Sequence, residues 1–245
     1  MQKIALVTGA SRGLGLATAR QLGETGAKLL IGARDTASGN RAVEELRSEG
    51  IDAETLVFDV ASIASVQAAA TRVHERHGRL DILVNNAGIL PEATAGADRP
   101  VDLELFRKTF ETNLFGAVSV VQEFLPLLER SEAGRIVNVS STMGSLADQL
   151  DPDSPYYGVI VPAYQGSKAA LNGFTIALAK LLRETPIKVN SVCPGWLKTD
   201  LGGPDNRAAA PMTADEGAQI VVAMACVPTD GPSGRFVDRD GVVPW

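Results

Sequence analysis

Thr8-Gly9-Ala10-Ser11-Arg12-Gly13-Leu14-Gly15 follows the apolar tetrad Ile4-Ala5-Leu6-Val7 and precedes a helical stretch that runs to about Glu24. A buried strand, a glycine-rich turn and a helix in succession open a nucleotide-binding βα unit. A pyrophosphate needs close backbone approach, amide donors and the positive end of a helix dipole. Glycines at a strand-to-helix turn supply all three, since no side chain blocks the approach. The spacing is G-x-x-x-G-x-G, not the general G-x-G-x-x-G. Glycines in any βα turn look alike, so the loop needs support from the rest of the chain.

That support comes from the order of elements. Lys28-Leu29-Leu30-Ile31, Thr55 to Phe58, Asp81-Ile82-Leu83-Val84, Arg135 to Val139 and Ile187 to Val192 read as further strands, with a short one near Phe236. Between them, Ala42, Val43 and Leu46 have helical spacing ahead of Gly50, and Val66, Ala69, Ala70 and Val73 line one helix face. Helical segments are also predicted from about Leu103 to Leu128, from Ala163 to Leu182 and from Glu216 to Ala225. Short apolar strands alternating with amphipathic helices mean a parallel sheet covered on both faces. The expected fold is α/β: a single Rossmann-type doubly wound domain over residues 1–245.

The 245 residues are 45% hydrophobic, carry a formal net charge of -6 and have a pI near 5.0. There is no basic footprint for nucleic acid, and an anionic membrane surface would repel the chain on average. No apolar run reaches the roughly 18 residues of a membrane span, and the N-terminus lacks the pattern of a secretory signal. Cys193 and Cys226 make neither a metal spacing nor a disulfide framework. His74 and His77, three apart on one helix, have no nearby third ligand, and Asp148, Asp151 and Asp153 read as a solvated loop. A cytoplasmic protein without a metal is expected, acting on a small molecule.

Tyr164 and Lys168 lie four apart on a predicted helix and therefore share a face. A free tyrosine titrates near 10, and a nearby ammonium favours the phenolate. The pair is thereby expected to form an acid for reducing a carbonyl or a base for oxidising an alcohol. Ser140 and Ser141 close the strand Arg135 to Val139, at the end where open α/β sheets place their ligands. Strand residues alternate sides, so only one of the two serines faces the site. Asn85-Asn86-Ala87-Gly88 ends another strand, where its amides can satisfy loop backbone groups.

The loop Thr8 to Gly15, Asn85-Asn86-Ala87-Gly88, the Asn113 region, Ser141 before Tyr164-x-x-x-Lys168, and Pro194-Gly195-x-x-x-Thr199 occur in the order found in classical short-chain dehydrogenases/reductases. The resemblance spans essentially the whole chain. It implies a nicotinamide cofactor held by Gly9, Ser11, Arg12, Gly13, Leu14, Gly15, Asn86, Pro194, Gly195 and Thr199, with Asp59 and Val60 beside the adenine. For Asp59 a plain turn cap is the competing reading. The resemblance selects Ser141 as the group that binds the substrate oxygen, Tyr164 as the acid/base, Lys168 as a further ribose ligand, and Asn113 as the holder of a water linking Lys168 to solvent. For Asn113 a locally bonded mid-helix amide is the alternative. Relatives of this kind usually pair subunits through their helices, so a homo-oligomer is one expectation.

NAD-specific Rossmann enzymes carry a carboxylate at the end of the second strand. Here Ala33 takes that place and Arg34 follows, which favours a 2′-phosphate and hence NADP(H), with Arg12 as a second charge. Asp35 would serve as the ribose carboxylate if the register were one or two residues off. The expected reaction is NADPH-dependent, carbonyl-reductase-like reduction of a ketone or aldehyde. The competing readings are an NAD-linked alcohol dehydrogenase of the same fold and a nucleotide-binding regulator without turnover. The segment from Thr142 to Ala163 is longer than the common family version. Its Leu146, Leu150, Tyr156, Tyr157, Val159 and Ile160 are expected to wall the substrate pocket or to cover a helix face.

Overall fold

The computed structural model describes residues 2–94 and 101–245. Among them, eight strands form one sheet: β1 Ile4–Val7, β2 Lys28–Ala33, β3 Ala53–Val57, β4 Ile82–Asn85, β5 Arg135–Val139, β6 Lys188–Val192, β7 Phe236–Asp238 and β8 Gly241–Val242. Their order across the sheet is β3-β2-β1-β4-β5-β6-β7-β8. β1 through β7 run parallel and β8 turns back antiparallel on β7. The order reverses between β1 and β4, which opens a crevice beyond their carboxyl ends.

The helices are α1 Gly13–Glu24, α2 Thr36–Ser48, α3 Ile63–His77, α4 Leu103–Phe110, α5 Gly116–Leu128, α6 Leu146–Leu150, α7 Pro162–Leu181, α8 Gly203–Ala209 and α9 Ala214–Ala225. The strands distribute them over two faces by simple alternation. In β1, Ile4 and Leu6 join the core under α3, α5 and α7, with Val66, Phe124 and Leu178. Ala5 and Val7 join the other core, with Leu22 of α1, Val43 of α2 and Val221 of α9. In β4, Leu83 faces the first set and Ile82 and Val84 the second. Both faces of the central strands are covered, and β1 and β4 are buried along their whole length.

Several element boundaries differ from the sequence reading. β2 continues to Ala33 because its ladder with β3 runs from Leu29↔Ala53 to Ala33↔Val57. β3 therefore starts earlier than its apolar residues indicate and ends before Phe58. The stretch from Leu103 to Leu128 is two helices joined by a π-helical turn, Glu111–Phe115. At the start of α5, a Cβ on Gly116 would lie 3.0 Å from the Val60 side chain, so a larger residue would push Val60 aside at this close crossing. The segment after Ser141 is also ordered, into the 3₁₀ turn Thr142–Gly144 and α6.

Candidate active site

The crevice between β1 and β4 is built from backbone. Gly9 and Gly13 have φ of 63° and 56°, which L side chains rarely adopt. A Cβ on Gly15 would fall 2.5 Å from the Gly9 carbonyl oxygen, so the first turn of α1 packs directly on the loop. The N-cap of α1 is Arg12, which makes no side-chain cap. Its first-turn amides thus present the positive helix end to the crevice. Across the gap, the Asn86 side chain donates to the carbonyls of Thr8 at 2.8 Å and Gly9 at 3.2 Å. The Thr8 hydroxyl accepts from the amides of Asn86 and Ala87, both at 2.9 Å. Asn86 thus does the structural job expected of it. The open glycine cradle at a helix N-terminus suits a dinucleotide.

Beside this cradle, β5 and α7 bring Ser141, Tyr164 and Lys168 together. The Ser140 hydroxyl points at the Lys168 carbonyl, at 3.4 Å, whereas the Ser141 side chain lies beside the Tyr164 phenol. The Ser141 hydroxyl also accepts from the Met143 amide at 3.2 Å, which fixes its rotamer. Lys168 lies one helical turn beyond Tyr164, with Nζ 5.5 Å from the ring centroid. Its ammonium donates to the Val139 carbonyl at 2.8 Å.

Burial pushes the Tyr164 phenol well above its ordinary range, the neighbouring Cys193 thiol adds to this, and the Ser141 hydroxyl works in the opposite sense. Burial also brings Lys168 down to about 8. Lys168 was expected to draw Tyr164 toward neutrality. In this arrangement its ammonium is turned to the Val139 carbonyl, and burial is the largest influence on the phenol.

Asn113 stands in the π-helical turn, almost wholly buried. Its Oδ1 accepts from the Ile89 amide at 2.8 Å, and its Nδ2 donates to the Ile89 carbonyl at 3.0 Å and to the Ser167 hydroxyl at 3.1 Å. A Cβ on Gly88 would lie 3.4 Å from Asn113 Oδ1 and 3.7 Å from Lys168 Nζ, so these groups flank the same point of the loop. The amide ties the loop after β4 to α7 through long-range bonds, not through the local mid-helix bonding that was the alternative reading.

The remaining residues spread around the rim. Asp59 accepts from the Ala61 amide at 3.0 Å, the turn-cap reading, and Val60 is buried against Gly116. Gly195 has φ of 90° and follows Pro194 beyond β6. That loop brings the Thr199 methyl within 3.4 Å of a Cβ position on Gly13. Arg34 is exposed just beyond β2. Asp35 is committed elsewhere: it caps α2 by accepting from the Ser38 amide at 2.8 Å and hydroxyl at 2.6 Å. Arg12 does not join Arg34 but pairs with Asp200, which also holds Arg207 at 2.9 Å.

Three neighbours were not read from the sequence. Thr142 neighbours both the Tyr156 phenol and the buried Cys193 thiol, whose sulfur is 3.7 Å from the Thr142 hydroxyl. Glu92 accepts from the amides of Ala163 and Tyr164 at the start of α7. A signal for it existed: Val161 before Pro162 has no capping side chain, so the helix needed a cap from elsewhere. An open cleft of about 490 Å³ lies between the end of the Pro91–Ala93 turn and the start of α8, lined by Ala93, Thr94, Trp196, Gly202, Pro204, Asp205 and Asn206.

Comparison with known proteins shows the family and the fold. A family profile described as short chain dehydrogenase matches residues 3–210. A short-chain dehydrogenase/reductase 1 of Saponaria officinalis is 34% identical, with 100% of this chain and 96% of the relative covered. A carbonyl reductase [NADPH] 1 of Sus scrofa is 32% identical, covering 99% and 94%. The crystal structure of NADPH-bound carbonyl reductase from chicken fatty liver superposes with a TM-score of 0.83 at 30% identity, over 100% of this chain and 99% of that one.

Proposed function

This chain belongs to the short-chain dehydrogenase family, and from that premise we propose that it reduces a ketone or aldehyde to an alcohol with NADPH. The family's fold binds a nicotinamide cofactor and its members are oxidoreductases. One observation carries the proposal. The Ser141 and Tyr164 side chains meet at one point beside the glycine cradle, with Lys168 directly behind.

When bound, the reduced nicotinamide supplies the hydride. The chain must then hold the carbonyl oxygen and deliver a proton. The Ser141 hydroxyl donates to that oxygen. Tyr164 transfers its phenolic proton to the oxygen as charge develops there. Lys168 reaches the ribose hydroxyls, while Asn113 holds Gly88 and α7 in register around it. Gly9, Ser11, Arg12, Gly13, Leu14, Gly15 and Asn86 hold the pyrophosphate side, Asp59 and Val60 the adenine side, and Pro194, Gly195 and Thr199 the nicotinamide side.

Preference for NADP(H) over NAD(H) is supported by the end of β2. Ala33 supplies no carboxylate there, Arg34 is exposed beside it, and Asp35 is occupied by Ser38. Two of the similar proteins carry NADPH in their descriptions. Substrate size is argued from the segment after Ser141. Its helix α6 packs on the Thr142–Gly144 turn next to Ser141, and the Tyr156 phenol lies near Thr142. We assign the segment to the pocket wall and expect a bulky or aromatic carbonyl as substrate.

The test is to incubate the protein with NADPH or NADH and a panel of ketones, aldehydes, quinones and keto esters, following the loss of reduced-nicotinamide absorbance. Turnover of larger carbonyls with NADPH, well above that with NADH, is expected. Absence of turnover across the panel would overturn the proposal.

A further inference from the structure

Helix α7 carries both Tyr164 and Lys168, and its N-terminus has no cap of its own. Val161 at the N-cap makes no side-chain hydrogen bond, and Pro162 brings no amide hydrogen. The Gln165 amide already bonds the Val161 carbonyl at 2.9 Å. That leaves the amides of Ala163 and Tyr164, and both go to a single distant carboxylate. Glu92 accepts from Ala163 through Oε1 at 3.0 Å and from Tyr164 through Oε2 at 2.8 Å. Charge-assisted bonds at the positive end of a helix are among the stronger polar contacts available.

The segment that presents Glu92 is itself pinned along its length. Asn86 and Ala87 are tied to the Thr8 hydroxyl at the mouth of the glycine loop. Ile89 is held through both backbone groups by Asn113. Glu92, in the short 3₁₀ turn Pro91–Ala93, then grips the backbone of Tyr164. Residues 86–92 thus form a strap that runs from the cofactor cradle to the proton donor.

We infer that Glu92 is a positioning residue, which sets the place of the Tyr164 hydroxyl relative to the cradle by clamping the first turn of α7. The inference rests on the reading of Tyr164 as proton donor. Misplacing a reacting group by 1 Å can cost on the order of a hundredfold in rate. The clamp therefore acts on kcat through geometry rather than through cofactor affinity.

Glu92→Gln keeps the shape but turns an NH₂ group toward one of the two amides, whereas Glu92→Asp keeps the charge on a shorter arm. Both are compared with wild type, Tyr164→Phe and the double variant Glu92→Gln/Tyr164→Phe. In the protein without cofactor, Glu92→Gln should speed hydrogen exchange of the Ala163 and Tyr164 amides. In turnover it should lower kcat about tenfold or more, with NADPH affinity changed by less than about twofold. Glu92→Asp should recover part of that loss. Added to Tyr164→Phe, Glu92→Gln should cause little further loss, since the group it positions is already gone. A Glu92→Gln kcat within about twofold of wild type, or an equal fold-loss in the Tyr164→Phe background, overturns the inference. If Tyr164→Phe fails to turn over while Glu92→Gln is unaffected, only the clamp falls. If Tyr164→Phe turns over normally, the proton-donor reading falls and takes the clamp with it.

Discussion

Lys168 sits at the back of the site with its ammonium brought down to about 8 by burial, from an ordinary value of 10.5. Below that pH it is charged and able to hold ribose hydroxyls; above it the charge is lost. The predicted kcat/KM for NADPH-dependent reduction therefore falls as pH rises through about 8. A steady-state pH profile checks this, and a profile flat to pH 10 would remove the ammonium from the reaction. On stability the sign is opposite. Between about 8 and 10.5 the native state binds fewer protons than the unfolded chain, so the cost of burying the charged lysine is relieved as pH rises. At the other end of the cofactor site, Arg34→Ala should weaken NADPH binding on the order of tenfold, as for loss of a charge-assisted contact, and NADH binding very little. Dissociation constants from nicotinamide fluorescence would measure it, and equal weakening of both cofactors would count against Arg34 as the phosphate ligand. Much of this site was visible in the residues alone. The four-residue spacing of Tyr164 and Lys168 required a shared helix face, and strand alternation required Ser140 and Ser141 to diverge. The balance of burial against charge at Tyr164 was not visible, because desolvation depends on what three separate elements place around the ring.

The segment between Ser141 and α7 is the element whose role is most open to test. It leaves Leu150 and Ile160 each 81% exposed, while Tyr156 is turned inward to Thr142. It is also fastened to α7: Gln165 donates to Gln149 and to the Val159 carbonyl, the latter at 3.0 Å. The Ala147 amide meets the carbonyl of Trp245 at 3.2 Å. Trimming the chain between Leu146 and Gly158 should lower kcat/KM for large carbonyls by about tenfold or more while sparing small ones, the scale expected for loss of an apolar pocket wall. The solution mass should stay the same. An unchanged substrate ranking together with a new oligomeric state would make the segment a cover for a subunit face instead. Its apolar content could be read from the sequence, but its short helix could not. Leu146–Leu150 is too short to show a period, and its N-cap, Ser145, sits in a run of small residues. The π-helical turn at Asn113 escaped for a related reason. One extra residue in a 26-residue apolar-periodic stretch, from Leu103 to Leu128, hardly disturbs the pattern.

At the scale of the molecule, the arrangement follows from a sheet whose central strands are covered on both faces and whose order reverses between β1 and β4. The glycine loop ends β1, Asn86 follows β4, and Ser141 follows β5. These three loops lie at the carboxyl ends of β1, β4 and β5, where the crossovers leave the sheet. This was legible early, since strand order and helix placement follow from the alternation of apolar strands with amphipathic helices. What the sequence hid were long-range tethers between loops. A polar ladder crosses the sheet from Asn85 to Asn138 at 2.9 Å, from Asn138 to Thr175 at 2.8 Å and from Thr175 to Ser191 at 2.9 Å. The central claim is that this framework delivers a proton from Tyr164 to a carbonyl oxygen. The most direct test compares wild type with Tyr164→Phe, which keeps the ring and its packing, measuring NADPH affinity and NADPH-dependent carbonyl turnover side by side. The account predicts unchanged NADPH binding with kcat lower by about a hundredfold or more, the scale of general acid catalysis. Near-normal turnover by Tyr164→Phe would contradict it.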